Sequence, residues 1–164
     1  MGNMKFNNIE YTEIEDISDR RVIESIELLG SEIFGYFNLN NFCNRLQENI
    51  PFKIIIALEN KELVGFKVGY RINNDIFFSW LGGVKQSYRR KGIANHLMIL
   101  QHEWCQNNGF KIVETHTTQE RQEMCLLNLK HNFKQTGFFL DKNKVKKIIL
   151  HKTLQVLIIF NIFQ

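Results

Sequence analysis

Residues 76–84, Ile-Phe-Phe-Ser-Trp-Leu-Gly-Gly-Val, form an apolar, β-rich run, and residues 92–107 carry apolar side chains at helical spacing. The helical set is Ile93, Ala94, Leu97, Met98, Trp104 and Cys105, and Asn108-Gly109 is a strong stop signal behind it. Between strand and helix lies the short basic turn Lys85-Gln86-Ser87-Tyr88-Arg89-Arg90-Lys91. Helix N-termini expose unpaired N–H groups and a partial positive charge, so they bind phosphates well. Gly92 lets the backbone approach an anion closely, and Ala94 keeps the first turn slim. Arg89, Arg90 and Lys91 add mobile positive charge. The turn lacks the glycines of a dinucleotide fingerprint and the Gly-Lys-Ser/Thr end of a P-loop. It predicts an anion site of another kind.

Around this unit the chain predicts a strand near residues 10–14 and a helix capped by Ser18 or Asp19. Val22, Ile23, Ile26 and Leu29 share one face of that helix. A shorter helix covers residues 41–47. Residues 52–58, 63–72 and 76–84 read as an antiparallel meander with turns at Asn60-Lys61 and Asn73-Asn74. A strand at 111–117, a helix at 122–130 and strands at 133–140 and 145–154 follow. With 164 residues, no repeat and no linker, the pattern predicts one α+β domain with a mixed sheet over residues 1–164.

The motif Arg89-x-x-Gly92-x-Ala94, set between that meander and that helix, resembles the signature of the GCN5-related N-acetyltransferases (GNAT). The similarity covers about residues 10–154. It implies a mostly antiparallel sheet of about seven strands, helices on both faces and a splay between strands four and five. It implies an acetyltransferase that moves an acetyl group from acetyl-CoA to a primary amine, by direct attack in a ternary complex. Arg89, Arg90, Lys91, Gly92, Ile93 and Ala94 would grip the coenzyme pyrophosphate. Gly82, Gly83 and Val84 would line the pantetheine arm, as a peptide adds to a strand edge. A backbone N–H near Val84 would polarise the thioester carbonyl. From the residues alone, Gly82-Gly83 reads as a strand bulge.

The sequence departs from the family at the usual general acid, a tyrosine in the helix after the fifth strand. Aligning Phe133 with the family phenylalanine puts Asn132 at a glycine and Asn128 at the tyrosine. Asn128 has no titratable proton, so it would hold the pantetheine amide or sulfur instead. A second register places Gly137-Phe138 on the Gly-Phe pair, lengthens the helix and also removes the acid. Lost acid assistance leaves an alternative: a catalytically weak or inactive CoA-binding module of the same fold. For the base, the fourth strand offers Asp75 and Ser79 but no Glu. His116, on the fifth strand, is the titratable candidate.

Other patterns exclude functions. His102-Glu103 lacks the second histidine of a metalloprotease helix, and no metal site is expected. Cys43, Cys105 and Cys125 make neither a disulfide framework nor a thiol-nucleophile pattern. No apolar stretch reaches the roughly 20 residues that span a bilayer, and the start of the chain has no signal-peptide pattern. The expectation is a cytoplasmic enzyme with no membrane or nucleic-acid partner. Residues 1–50 carry four Lys or Arg against nine Asp or Glu, a net of −5. Residues 51–164 carry seventeen against eight, a net of +9. That split predicts an anion on the later part and a cationic amine, small or peptide-borne, near Glu24, Glu27 and Glu32. The apolar tail 155–164 predicts an added edge strand or a face packed on a second subunit, so a homodimer is an expectation too.

Overall fold

The structure, a computed structural model, describes residues 8–155. Its strands are β1 (Ile9–Ile14), β2 (Phe52–Glu59), β3 (Glu62–Arg71), β4 (Ile76–Val84), β5 (Ile112–Thr117), β6 (Lys134–Leu140) and β7 (Lys146–Thr153). Its helices are α1 (Arg20–Phe34), α2 (Leu39–Glu48), α3 (Ile93–Asn107) and α4 (Gln122–Lys130). The seven strands order as β1-β2-β3-β4-β5-β7-β6. The β4–β5 pair is parallel, and β1–β2, β2–β3, β5–β7 and β6–β7 are antiparallel. This is the mixed, mostly antiparallel sheet that the sequence predicts. Element ends differ from expectation by a residue or two.

The chain divides into two compact units, and each has its own packing. The first comprises Met1–Tyr70 and Leu81–Gln101. There α1 starts at Asp19, whose carboxylate accepts from the Arg21 N–H at 3.1 Å. It stops at Gly35, where φ is 77° and the N–H bonds to the Ser31 carbonyl at 2.9 Å. Ile23, Ile26 and Leu29 form its buried stripe. The β2–β3 hairpin turns on Asn60 and Lys61, both left-handed with φ of 50° and 69°, the geometry a two-residue hairpin needs. Ile55, Ala57, Val64, Val84, Ile93 and Leu97 make one buried cluster, which pins the start of α3. A Cβ on Gly65 would lie 3.2 Å from Ile93 Cγ2, so a larger residue there would push the helix start outward.

The second unit comprises Arg71–Trp80 and His102–Gln164. Phe77 is fully buried and packs its ring 5.3 Å from both Trp104 and Phe110. His102 is buried with its ring 5.5 Å from Phe133, and the Lys152 ammonium lies 2.9 Å from its Nδ1. Burial pushes the Lys152 pKa down. The strands β5 and β7 pair along six residues each, from Ile112↔Thr153 to Thr117↔Ile148. Of the expected apolar tail 155–164, residues 156–164 lie outside the described residues.

Candidate functional site

In the first unit the basic turn has a defined shape. Residues Gln86–Tyr88 make one 3-10 turn, and Arg89 follows it in extended conformation with its N–H on the Gln86 carbonyl at 3.2 Å. Arg90 and Gly92 are then left-handed, with φ of 60° and 82°. The Gly92 carbonyl accepts from His96 N–H at 3.0 Å, so Gly92 caps α3 and the first-turn amides begin at Ile93. A Cβ on Gly92 would meet nothing within 4 Å, so backbone conformation, not crowding, calls for glycine there.

Neighbours hold several side chains around the turn. Lys85 is ion-paired with Glu62, and that hydrogen bond raises its pKa. Tyr88 donates to the Glu59 carboxylate, which raises its pKa and makes it a poorer acid. Lys91 holds its ammonium 4.8 Å from the Tyr88 ring centre. Arg89 Nε donates to the Val84 carbonyl at 3.1 Å, which fastens the guanidinium to the end of β4 while its two Nη groups take no part in that bond. Gly83 has a packing reason as well: a Cβ there would fall 2.6 Å from Ile33 Cδ1 of α1. At Gly82 a Cβ would lie 3.2 Å from the Phe66 carbonyl oxygen.

In the second unit the β4–β5 ladder covers three pairs, Ile76↔Ile112 to Phe78↔Glu114. At the next residue the Ser79 carbonyl accepts from the Thr115 hydroxyl at 3.0 Å. A side-chain donor there marks where the ladder ends and the splay begins. Ser79 itself is buried, which suits a structural position better than a proton acceptor open to substrate. His116 is partly exposed, and its Nε2 lies 2.9 Å from Glu114 Oε1. Its ring centre is 4.7 Å from Phe78 and 5.0 Å from Phe139.

Asn128 lies in α4, 2% exposed, and its Oδ1 has no hydrogen-bond partner among the described residues. Its backbone carbonyl accepts from His131 and Phe133 N–H groups at 3.1 and 3.0 Å. The helix ends at Lys130 and Asn132 is left-handed, with φ of 63°. That is a glycine-like conformation at the position the first register aligns with glycine. Gly137 and Phe138, the pair of the second register, lie inside β6. A buried acceptor without a donor costs about 1–3 kcal/mol, which sets the Asn128 Oδ1 apart from an ordinary core amide. Replacing Asn128 with Ala should raise the acetyl-CoA dissociation constant by about 2- to 10-fold, the size of one neutral hydrogen bond. Calorimetric titration checks this, and an unchanged constant would mean that α4 presents another residue.

Sequence reasoning passed over Glu114 and His151, whose Nε2 lies 2.7 Å from Glu114 Oε2. The alternation of a strand puts Glu114 on the His116 face, so that half of the cluster was open to reading. Among the described residues no three His, Cys, Asp or Glu gather as a metal site. No helix among them is long and apolar enough to cross a membrane.

Residues 18–133 match the Acetyltransferase (GNAT) family. The chain belongs to that family and is an acetyltransferase by class. Solved structures share its fold. Ard1 from Thermoplasma volcanium is 18% identical with a TM-score of 0.75, covering 88% of this chain and 98% of that one. The ribosomal-protein-S18-alanine N-acetyltransferase from Escherichia coli is 10% identical with a TM-score of 0.74, covering 94% and 100%. An aminoglycoside 6'-N-acetyltransferase complexed with coenzyme A is 16% identical with a TM-score of 0.72, covering 88% and 96%. No curated protein matches the chain significantly.

Proposed function

We propose that the chain is one N-acetyltransferase domain that moves the acetyl group of acetyl-CoA to a cationic primary amine. The observation that carries this reading is the turn before α3: left-handed Arg90 and Gly92, the helix start at Ile93 directly behind them and an Arg89 fixed on Val84. That arrangement suits a diphosphate. The turn residues Arg89, Arg90, Lys91, Gly92, Ile93 and Ala94 hold it, and Gly82, Gly83 and Val84 border the pantetheine arm. Asn128 accepts from a pantetheine amide. The amine nitrogen, in its neutral form, attacks the thioester carbonyl while a backbone N–H near Val84 stabilises the oxyanion. The C–N bond forms and the C–S bond breaks with its electron pair left on sulfur. His116 takes the proton from the attacking nitrogen, and water supplies the one that the thiolate picks up. The aminoglycoside enzyme complexed with coenzyme A supports the donor by analogy of fold.

Asn128 in place of an acid favours a second reading, a CoA-binding module with weak or no turnover. A thiol-release assay separates the two. The proposed enzyme releases CoA in an amine-dependent way, whereas a module binds without release.

The acceptor wall narrows to one carboxylate. Glu24 is committed to Arg20 at 2.7 Å. Glu32 is exposed, and its field falls on the Lys85 ammonium. Glu27, in contrast, lines a shallow cavity of about 320 Å³ with Tyr36, Phe37, Asn38, Leu39 and Asn40. A carboxylate among aromatic and amide groups suits an ammonium. Glu27→Gln should raise the KM of a polyamine-like acceptor by about 5-fold, the worth of a partly solvated ion pair near 1 kcal/mol. The KM of a neutral-bodied monoamine should stay unchanged, and turnover should climb as pH approaches the amine pKa. Equal KM values for the polyamine-like acceptor in both proteins would remove Glu27 from the acceptor site.

A further inference from the structure

The strands β5 and β7 build a three-residue cluster that the sequence only half discloses. Glu114 and His116 stand two residues apart on β5, so both side chains leave the same face. His151 is the register partner of Glu114 on β7, so it joins them on that face. Both imidazoles turn Nε2 toward the one carboxylate, at 2.9 Å from His116 and 2.7 Å from His151. Glu114 is only 17% exposed at its side chain, and each of its oxygens meets one histidine. A carboxylate only accepts hydrogen bonds, so each facing Nε2 must carry the proton.

We infer that Glu114 is the positioning residue for the acetyl-transfer base: it fixes His116 as the Nε2–H tautomer and so leaves Nδ1 with the lone pair that accepts the amine proton. This rests on the reading of His116 as the base. Three neighbours hold the arrangement. Phe78 and Phe139 pack against the His116 ring, and His151 occupies the second carboxylate oxygen so that Glu114 is restrained from turning away. As the imidazole takes up the proton, the adjacent carboxylate compensates the new positive charge, the role an orienting carboxylate plays beside a histidine base. Atoms balance simply: nitrogen gains the acetyl group, His116 Nδ1 gains the proton and sulfur keeps the electron pair.

The test uses four full-length proteins in a steady-state thiol-release assay: Glu114→Gln, His116→Ala, the double variant and Glu114→Asp. Glutamine keeps the shape but can donate to Nε2 as well as accept, so the tautomer is no longer fixed. Glu114→Gln should lower kcat about 10- to 100-fold, a part of what a general base supplies. The KM for acetyl-CoA should stay within about twofold, a split that general loosening of the strands would not give. The double variant should be no slower than His116→Ala, and Glu114→Asp should recover part of the loss. If His116→Ala is slow and Glu114→Gln is as fast as wild type, the positioning role is wrong and the base reading stands. If the double variant is slower than either single one by the product of their losses, Glu114 acts without His116 and the inference falls. If His116→Ala is as fast as wild type, the base reading itself fails. Should Glu114→Gln not fold, Glu114→Asp carries the same comparison.

Discussion

Arg89→Ala and Gly92→Val should each weaken acetyl-CoA binding by about 10- to 100-fold, the equivalent of a charge-assisted phosphate contact near 1.5–3 kcal/mol. The two variants act by different physics. Arg89→Ala removes a guanidinium anchored by the Val84 carbonyl at 3.1 Å, so the turn loses a fixed positive charge. In Gly92→Val nothing collides, because the space beside Gly92 is open. The left-handed φ of 82° is what a branched side chain resists, at a cost of about 1–2 kcal/mol. Relieving that strain rotates the amides that open α3, and the anion site loses its shape. Both proteins should still unfold cooperatively, since Ile93 and Leu97 continue to hold the helix in the buried cluster. Calorimetric titration reads the constant directly. Wild-type affinity in both variants would mean that the diphosphate is held elsewhere.

His116→Ala should lower kcat by about 10²- to 10⁴-fold, the range that a positioned general base contributes. Acetyl-CoA affinity should be unaffected, because in the proposed reaction the imidazole acts on the amine and not on the coenzyme. The other titratable groups named from the sequence are less suited. Ser79 is buried, with its carbonyl bonded to Thr115, and the Tyr88 hydroxyl is bound to Glu59 with its pKa raised. A His116→Ala protein with wild-type kcat would instead point to a water held by backbone groups. Measuring kcat and the dissociation constant on the same preparation separates lost chemistry from lost binding.

The sequence disclosed what is local in the chain. Asn60-Lys61 announced a hairpin, and both residues adopt the left-handed conformation such a turn needs. Ser18 or Asp19 announced a helix start, and it is Asp19 that accepts from Arg21. The turn from Lys85 to Gly92 is local too: its charge, glycine and following helix are contiguous, and Gly92 is left-handed just before α3. Asn132, the residue the first register sets on a glycine, is left-handed with φ of 63°. What stayed hidden depends on partners distant in sequence. The order β5-β7-β6 is not sequential, so nothing local says that His151 stands opposite Glu114. Nothing local to the Gly82-Gly83 pair says that the space beside Gly83 is filled by Ile33, some fifty residues earlier. For Glu24 and Glu27, the neighbours in the fold distinguish an ion-paired surface glutamate from one that lines a cavity.

The most direct test is CoA release by the purified full-length protein, with acetyl-CoA, across a panel of primary amines and matched neutral or acidic acceptors. The expected result is amine-dependent release that saturates in both substrates, matches acetylated amine one for one and is fastest for cationic acceptors. Absence of amine-dependent release from a protein that binds acetyl-CoA would contradict the enzyme reading and leave a binding module. Release that favours an acidic acceptor would contradict the cationic site.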